Sequence, residues 1–181
     1  MTSFKITKET VANDFYAGLA DREDAEQITG LLVRTAEWLR DQGSDQWSGL
    51  LEGHDSHDIV GSIESGHVFV FQKDQELAGV VMLLPEPSEW DRTLWGDEGH
   101  EESIYLHRLA VSRRFAGNGL GAEILTWTET GVEYPGKQRI RLDCVADNDA
   151  LHSFYRRMGY EFKGSDASGF HLFEKELNES E

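Results

Sequence analysis

Residues 104–132 constrain the chain more than any other stretch. Ile104 to Val111 is a mostly apolar run with β-branched and aromatic residues, the pattern of a buried strand. Glycines then occupy alternate positions at Gly117, Gly119 and Gly121. Beyond them Leu120, Ile124, Leu125, Thr128 and Val132 recur at helical spacing, which places the glycines at the start of a helix. A strand, a glycine-rich loop and a helix N-terminus form an anion cradle. Backbone without side chains can approach a phosphate closely, and the amides of the first helical turn have no intrahelical acceptor. Arg113 and Arg114 add positive charge just before the loop. The stretch predicts a phosphate-bearing ligand.

What surrounds it limits the class of protein. A chain of 181 residues with 39% hydrophobic residues can bury a core of its own. A single cysteine, Cys144, allows no intrachain disulfide and favours a reducing compartment. Residues 1–13 are polar and carry no apolar signal segment, and no apolar run is long enough to span a bilayer, so a cytoplasmic location with no membrane partner is expected. The net charge of −17 is unevenly spread. Residues 1–104 hold 7 Lys and Arg against 22 Asp and Glu (−15), whereas residues 105–163 hold 9 against 7 (+2). Such a surface excludes nucleic acid as a partner.

Read in order, the chain predicts a polar lead-in over residues 1–14, one domain over 15–177 and an acidic tail at 178–181. A short strand at Phe15–Leu19 precedes a helix capped by Asp21, with Ile28, Leu31, Leu32, Thr35, Trp38 and Leu39 on its apolar face. A loop containing Asp45 to Trp47 leads to a second helix from about Asp55 to Glu64. Strands follow at His67–Phe71 and Leu77–Leu84, the latter stopped by Pro85 and Pro87. Residues 85–102 read as a loop longer than most connections, of the kind that is functional or mobile. After the central unit come a strand at Arg139–Val145, a helix at Asn148–Met158, and strands at Tyr160–Phe162 and Phe170–Leu177.

The run Leu109-Ala110-Val111 followed by Ala116-Gly117-Asn118-Gly119-Leu120-Gly121 resembles the acetyl-CoA-binding motif of the GCN5-related N-acetyltransferases. In that family an L-A-V strand end precedes a loop of the form [Q/R]-x-x-G-x-G/A. Ala116 stands where the family usually has Gln or Arg. The segment from Asp143 to Tyr160 resembles a later family motif, in which an Asn opens a helix, a Tyr follows seven residues on and a Gly ends it. Asn148, Tyr155 and Gly159 fall in that register. The resemblance implies an α+β fold, a single domain with a mixed, twisted sheet of six to seven strands flanked by about four helices. It also implies an acetyl-CoA-dependent N-acetyltransferase. The cofactor would be held by Leu109, Ala110, Val111, Arg113, Arg114, Ala116, Gly117, Asn118, Gly119, Leu120, Gly121, Asn148 and Tyr155.

Acetyl transfer from a thioester to an amine needs a group to accept the amine's proton, a donor for the developing oxyanion and an acid for the leaving thiolate. A phenol at Tyr155 suits the last role, and a backbone N–H near Val111 the second. His107, four residues before Val111, is the candidate base, with Glu102 or a chain of waters as alternatives. Trp47, Trp90 and Trp95 read as loop aromatics that line an acceptor pocket. No metal site is expected, because the clusters at His54–Asp58 and His100–Glu102 lack completing ligands. The acidic first half points to a cationic acceptor, a small amine or a basic peptide, and the reading allows a homodimer. Two rivals stand beside it. One is a CoA-binding regulator without catalysis. The other is a dinucleotide-binding protein, since Gly117-x-Gly119-x-x-Ala122 formally fits G-x-G-x-x-G/A with Asp143 as the later acid.

Overall fold

The computed structural model describes residues 4–12, 14–44, 47–53, 58–117 and 119–177. In chain order the strands are β1 (Lys5–Ile6), β2 (Thr10–Val11), β3 (Phe15–Leu19), β4 (Val68–Lys73), β5 (Glu76–Leu84), β6 (Ser103–Val111), β7 (Val132–Glu133), β8 (Arg139–Val145), β9 (Glu161–Asp166) and β10 (Phe170–Glu176). The helices are α1 (Ala25–Asp41), α2 (Ser48–Leu51), α3 (Ile59–Glu64), α4 (Glu89–Trp95), α5 (Leu120–Thr130) and α6 (Asp149–Arg157). The described residues fall into two compact units, 4–82 with 108–133 and 83–107 with 134–177. Strand β6 gives its second half to one and its first half to the other.

In the first unit the strands run β2-β3-β4-β5-β6, with antiparallel β2–β3, β3–β4 and β4–β5 pairs, and β1 pairs antiparallel with β7. Asp21 accepts from the Glu23 amide at 2.8 Å, and the Asp24 carboxylate returns a bond to the Asp21 amide at 2.9 Å. This reciprocal cap starts one 3-10 turn that runs into α1. Ile28, Leu31, Leu32 and Ala36 form the buried stripe of that helix, while Trp38, expected on it, is exposed. Trp127 of α5 anchors the core. Its ring meets Phe69 and Phe71 edge-on at 5.6 and 5.0 Å, and its indole N–H donates to the Lys8 carbonyl at 2.7 Å.

In the second unit the strands run β6-β8-β10-β9. β6 pairs parallel with β8, Ser103–Tyr105 against Arg139–Arg141, and β8, β10 and β9 pair antiparallel. The sheet is therefore mixed. Ile104, Tyr105, Ile140, Leu142 and Phe173 are buried within it.

The α+β class agrees with the expectation, but several elements do not. Among the described residues eight strands share the sheet and six helices accompany it, against six to seven and about four expected. The polar lead-in contributes β1 and β2, strands too short to show alternation in sequence; β1 pairs with the distant β7, and β2 with the adjacent β3. Val132 belongs to β7 rather than to the preceding helix, which ends at Thr130. The second predicted helix begins only at Ile59, behind an Asp58 cap; residues 45–46 and 54–57 lie outside the described residues. The predicted loop at 85–102 contains α4, so Trp90 and Trp95 stand on a helix, not in a loop.

Candidate active site

The first unit carries the glycine loop. Ser112 at the end of β6 donates its amide to Ala78 on β5 at 2.8 Å, and one 3-10 turn over Arg113–Phe115 follows. Gly119 caps α5 with φ +77°, a left-handed conformation that costs a side-chain-bearing residue strain. A β-carbon there would meet no heavy atom within 4 Å, so the requirement is conformational rather than one of crowding. The eleven residues of α5 then direct the amides of their first turn at the loop. Asn118 lies outside the described residues. The two arginines are engaged elsewhere: Arg113 lies over the Trp38 ring at 4.1 Å, and Arg114 pairs with Glu76 at 3.3 Å in an exposed position. What the loop itself offers is backbone. Trp47 belongs to this unit too, with φ +66°, ahead of α2 and under the Arg108 guanidinium at 5.3 Å.

The second unit brings polar groups together in its interior. α4 starts with a capping box: the Ser88 hydroxyl accepts from the Asp91 amide at 3.1 Å, and Asp91 Oδ2 accepts from the Ser88 amide at 2.9 Å. The same carboxylate, 1% exposed, faces His107 of β6. Nε2 of His107 lies 2.9 Å from Oδ1 and 3.0 Å from Oδ2. Burial raises the Asp91 pKa, but the hydrogen bond and charge of His107, helped by Ser88, outweigh it and hold the carboxyl below its ordinary value. Directly after His107 the chain takes φ +55° at Arg108, an unusual conformation inside a strand.

A second carboxylate, Asp143 of β8, takes the Trp90 indole N–H at 3.2 Å. The ring of Trp90 also meets Phe170 edge-on at 4.8 Å. Trp95 lies under the Arg141 guanidinium at 4.4 Å. Tyr155 is buried on α6 among the rings of Phe154, Tyr160 and Phe173. Burial, then Cys144 and Asp143, push its phenol well above the ordinary value, so it stays protonated at neutral pH. Burial, reinforced by Asp143, pushes the Cys144 thiol up to about 12, which leaves it a thiol rather than a nucleophile. Asn148 caps α6 by accepting the Leu151 amide at 3.0 Å.

One candidate ligand atom from each of Asp91, His107 and Asp143 lies within 4.8 Å of the others. The hydrogen-bond donors already at these carboxylates favour a proton there over a cation. Asp91 already receives Ser88 and His107, and Asp143 receives Trp90. Asp143 thus lies near His107 and, after burial and Cys144, helps to raise the Tyr155 phenol, so it neighbours both residues singled out for proton transfer. Reading residues 85–102 as a loop hid Asp91, although Ser88-x-x-Asp91 is a cap signature in the sequence.

A mixed sheet with a glycine loop between β6 and α5 defines an acetyltransferase of the GNAT class. The Acetyltransferase (GNAT) family model matches residues 32–160, and the chain belongs to that family. It is 78% identical over 177 residues to the uncharacterized N-acetyltransferase YesJ of Bacillus subtilis (strain 168), covering 98% of each chain. A GNAT-family acetyltransferase structure from Listeria monocytogenes 4b F2365 is 36% identical, with a TM-score of 0.76 over 93% of this chain and 98% of that one. The PaiA N-acetyltransferase of Thermoplasma acidophilum, solved with coenzyme A, shares the fold at 16% identity, with a TM-score of 0.66 over 90% and 98% of the two chains. The protein is an N-acetyltransferase, and the dinucleotide-binding alternative falls with the fold. Among the described residues no helix is long and apolar enough to cross a membrane.

Proposed function

We propose that the chain moves an acetyl group from acetyl-CoA to a cationic primary amine by direct attack in a ternary complex. The observation that carries the reading is the glycine loop opening α5, with Gly119 left-handed at its start. Its backbone amides suit the pyrophosphate of coenzyme A, the ligand bound in the PaiA structure. In the reaction a neutral amine attacks the thioester carbonyl, the N–C bond forms and the C–S bond breaks. His107 takes the proton lost by the amine. A backbone N–H near Val111 faces the oxyanion, and Tyr155 gives its proton to the leaving thiolate. A phenol kept protonated by burial serves as that acid.

The acceptor class follows from charge. Residues 1–104 carry −15 against +2 over residues 105–163, which favours an amine bearing a second positive group. The test is a panel of monoamines, diamines, aminoglycosides and lysine peptides, with release of free CoA thiol as the readout. Acetylation of diamines or basic peptides ahead of monoamines is expected. Failure of every amine to release CoA thiol would contradict the reading.

A further inference from the structure

We infer that Asp91 is a positioning residue for His107. Its carboxylate receives the Nε2–H, so that proton exchange with the acceptor runs through Nδ1, and it stabilises the imidazolium formed when the amine gives up its proton. This rests on His107 being the base.

The geometry supplies the argument. Stability alone does not explain Asp91. A capping carboxylate does its work at the protein surface, whereas this one is 1% exposed and faces a histidine that is 8% exposed. Burying such a pair costs desolvation, and a well-packed apolar pair of similar size would serve stability as well or better. The carboxylate is also aimed. Oδ2 is held by the Ser88 amide at 2.9 Å and the Ser88 hydroxyl at 3.0 Å, and the carboxylate so fixed meets Nε2 with both oxygens, Oδ1 at 2.9 Å and Oδ2 at 3.0 Å. One residue earlier, Trp90 holds Asp143 at 3.2 Å. The first turn of α4 therefore fixes both carboxylates beside one imidazole. A carboxylate on one ring nitrogen sets the tautomer and supports the charge that develops on proton uptake at the other. The charged and titratable groups involved are Asp91 from α4, Asp143 from β8, and the phenols of Tyr105 on β6 and Tyr155 on α6, on which these carboxylates act.

The test uses the full chain labelled with ¹⁵N-histidine, the His107 signals being those that disappear in His107→Gln. The wild type and Ser88→Ala should show a fixed Nε2–H tautomer, and Asp91→Asn should lose it. A wild-type ring protonated at Nδ1, or a tautomer unchanged in Asp91→Asn, would overturn the inference. Kinetics with the panel amine acetylated fastest separate positioning from folding. Asp91→Asn should lower kcat by roughly tenfold to a hundredfold with little change in KM for acetyl-CoA. It should cause no further loss in the His107→Gln background. An equal loss in that background makes Asp91 merely structural and sinks the inference. Full turnover in His107→Gln removes the base reading itself, and the inference with it. Full turnover in Asp91→Asn beside an impaired His107→Gln removes the inference alone. A rise in Tm with manganese or zinc chloride alone, abolished in Asp91→Asn, would make the trio a metal site and overturn the proton role.

Discussion

At the scale of single residues, Tyr155 and Asp91 illustrate two uses of burial. Tyr155 keeps its proton because its surroundings penalise the phenolate. Tyr155→Phe preserves the ring packing and removes that proton, so turnover should fall roughly a hundredfold or more with KM for acetyl-CoA little changed. Unaltered turnover when chemistry limits the rate would return Tyr155 to the core. Asp91 keeps its charge, and its folded pKa lies below the unfolded value near 3.9. A depressed carboxylate contributes stability that is present above the unfolded pKa and lost as pH falls through the folded one. Denaturant titrations should therefore show Asp91→Asn less stable than wild type at neutral pH, with the gap closing below about pH 4. A gap constant from pH 7 to pH 3 would disprove the linkage. Tyr155 was singled out by its place seven residues after Asn148, and its role as the acid stands as part of the proposal. Asp91 was not, because its partner His107 is sixteen residues away and no local pattern joins them.

At the scale of elements, the long strands and helices were legible because apolar periodicity is strong over five or more residues. Phe15–Leu19 and Arg139–Val145 have the expected bounds. The two-residue strands β1, β2 and β7 exist only through their partners. α4 was masked by the prolines before it and the glycines after it. Close packing between elements is testable at Gly79 of β5. A β-carbon there would lie 2.7 Å from Cδ1 of the buried Ile124 on α5 and 3.2 Å from the Ala110 carbonyl on β6. Gly79→Ala should destabilise the protein by about 1–2 kcal/mol in a denaturant titration, since a packed core resists an added methyl. Gly18→Ala on β3, where nothing lies within 4 Å, is the control and should be neutral or slightly stabilising. Equal effects at the two sites would refute tight packing of α5 over β5.

At the scale of the whole molecule, the charge partition sets an expectation that no single contact carries. With the proposed cationic acceptor, an acidic first half would draw a protonated amine over distances comparable to the Debye length, about 30 Å at 0.01 M salt and about 10 Å at 0.1 M. The second-order rate for a dicationic acceptor should thus fall as salt rises across that range, and the rate for a neutral one should stay flat. A best acceptor that is anionic, with a salt-independent rate, would assign the charge to solubility alone. The family was legible because its loop is local in sequence, and the chain belongs to it over residues 32–160. The acceptor was not legible, since it depends on side chains drawn from distant segments. The most direct test of the central claim is a calorimetric titration of acetyl-CoA into the wild type and Gly119→Asp. Saturable binding to the wild type is expected, with a severe loss in a variant that remains folded by circular dichroism, because a carboxylate would then stand where the loop is proposed to hold the phosphates. Equal affinity in a folded Gly119→Asp would contradict it.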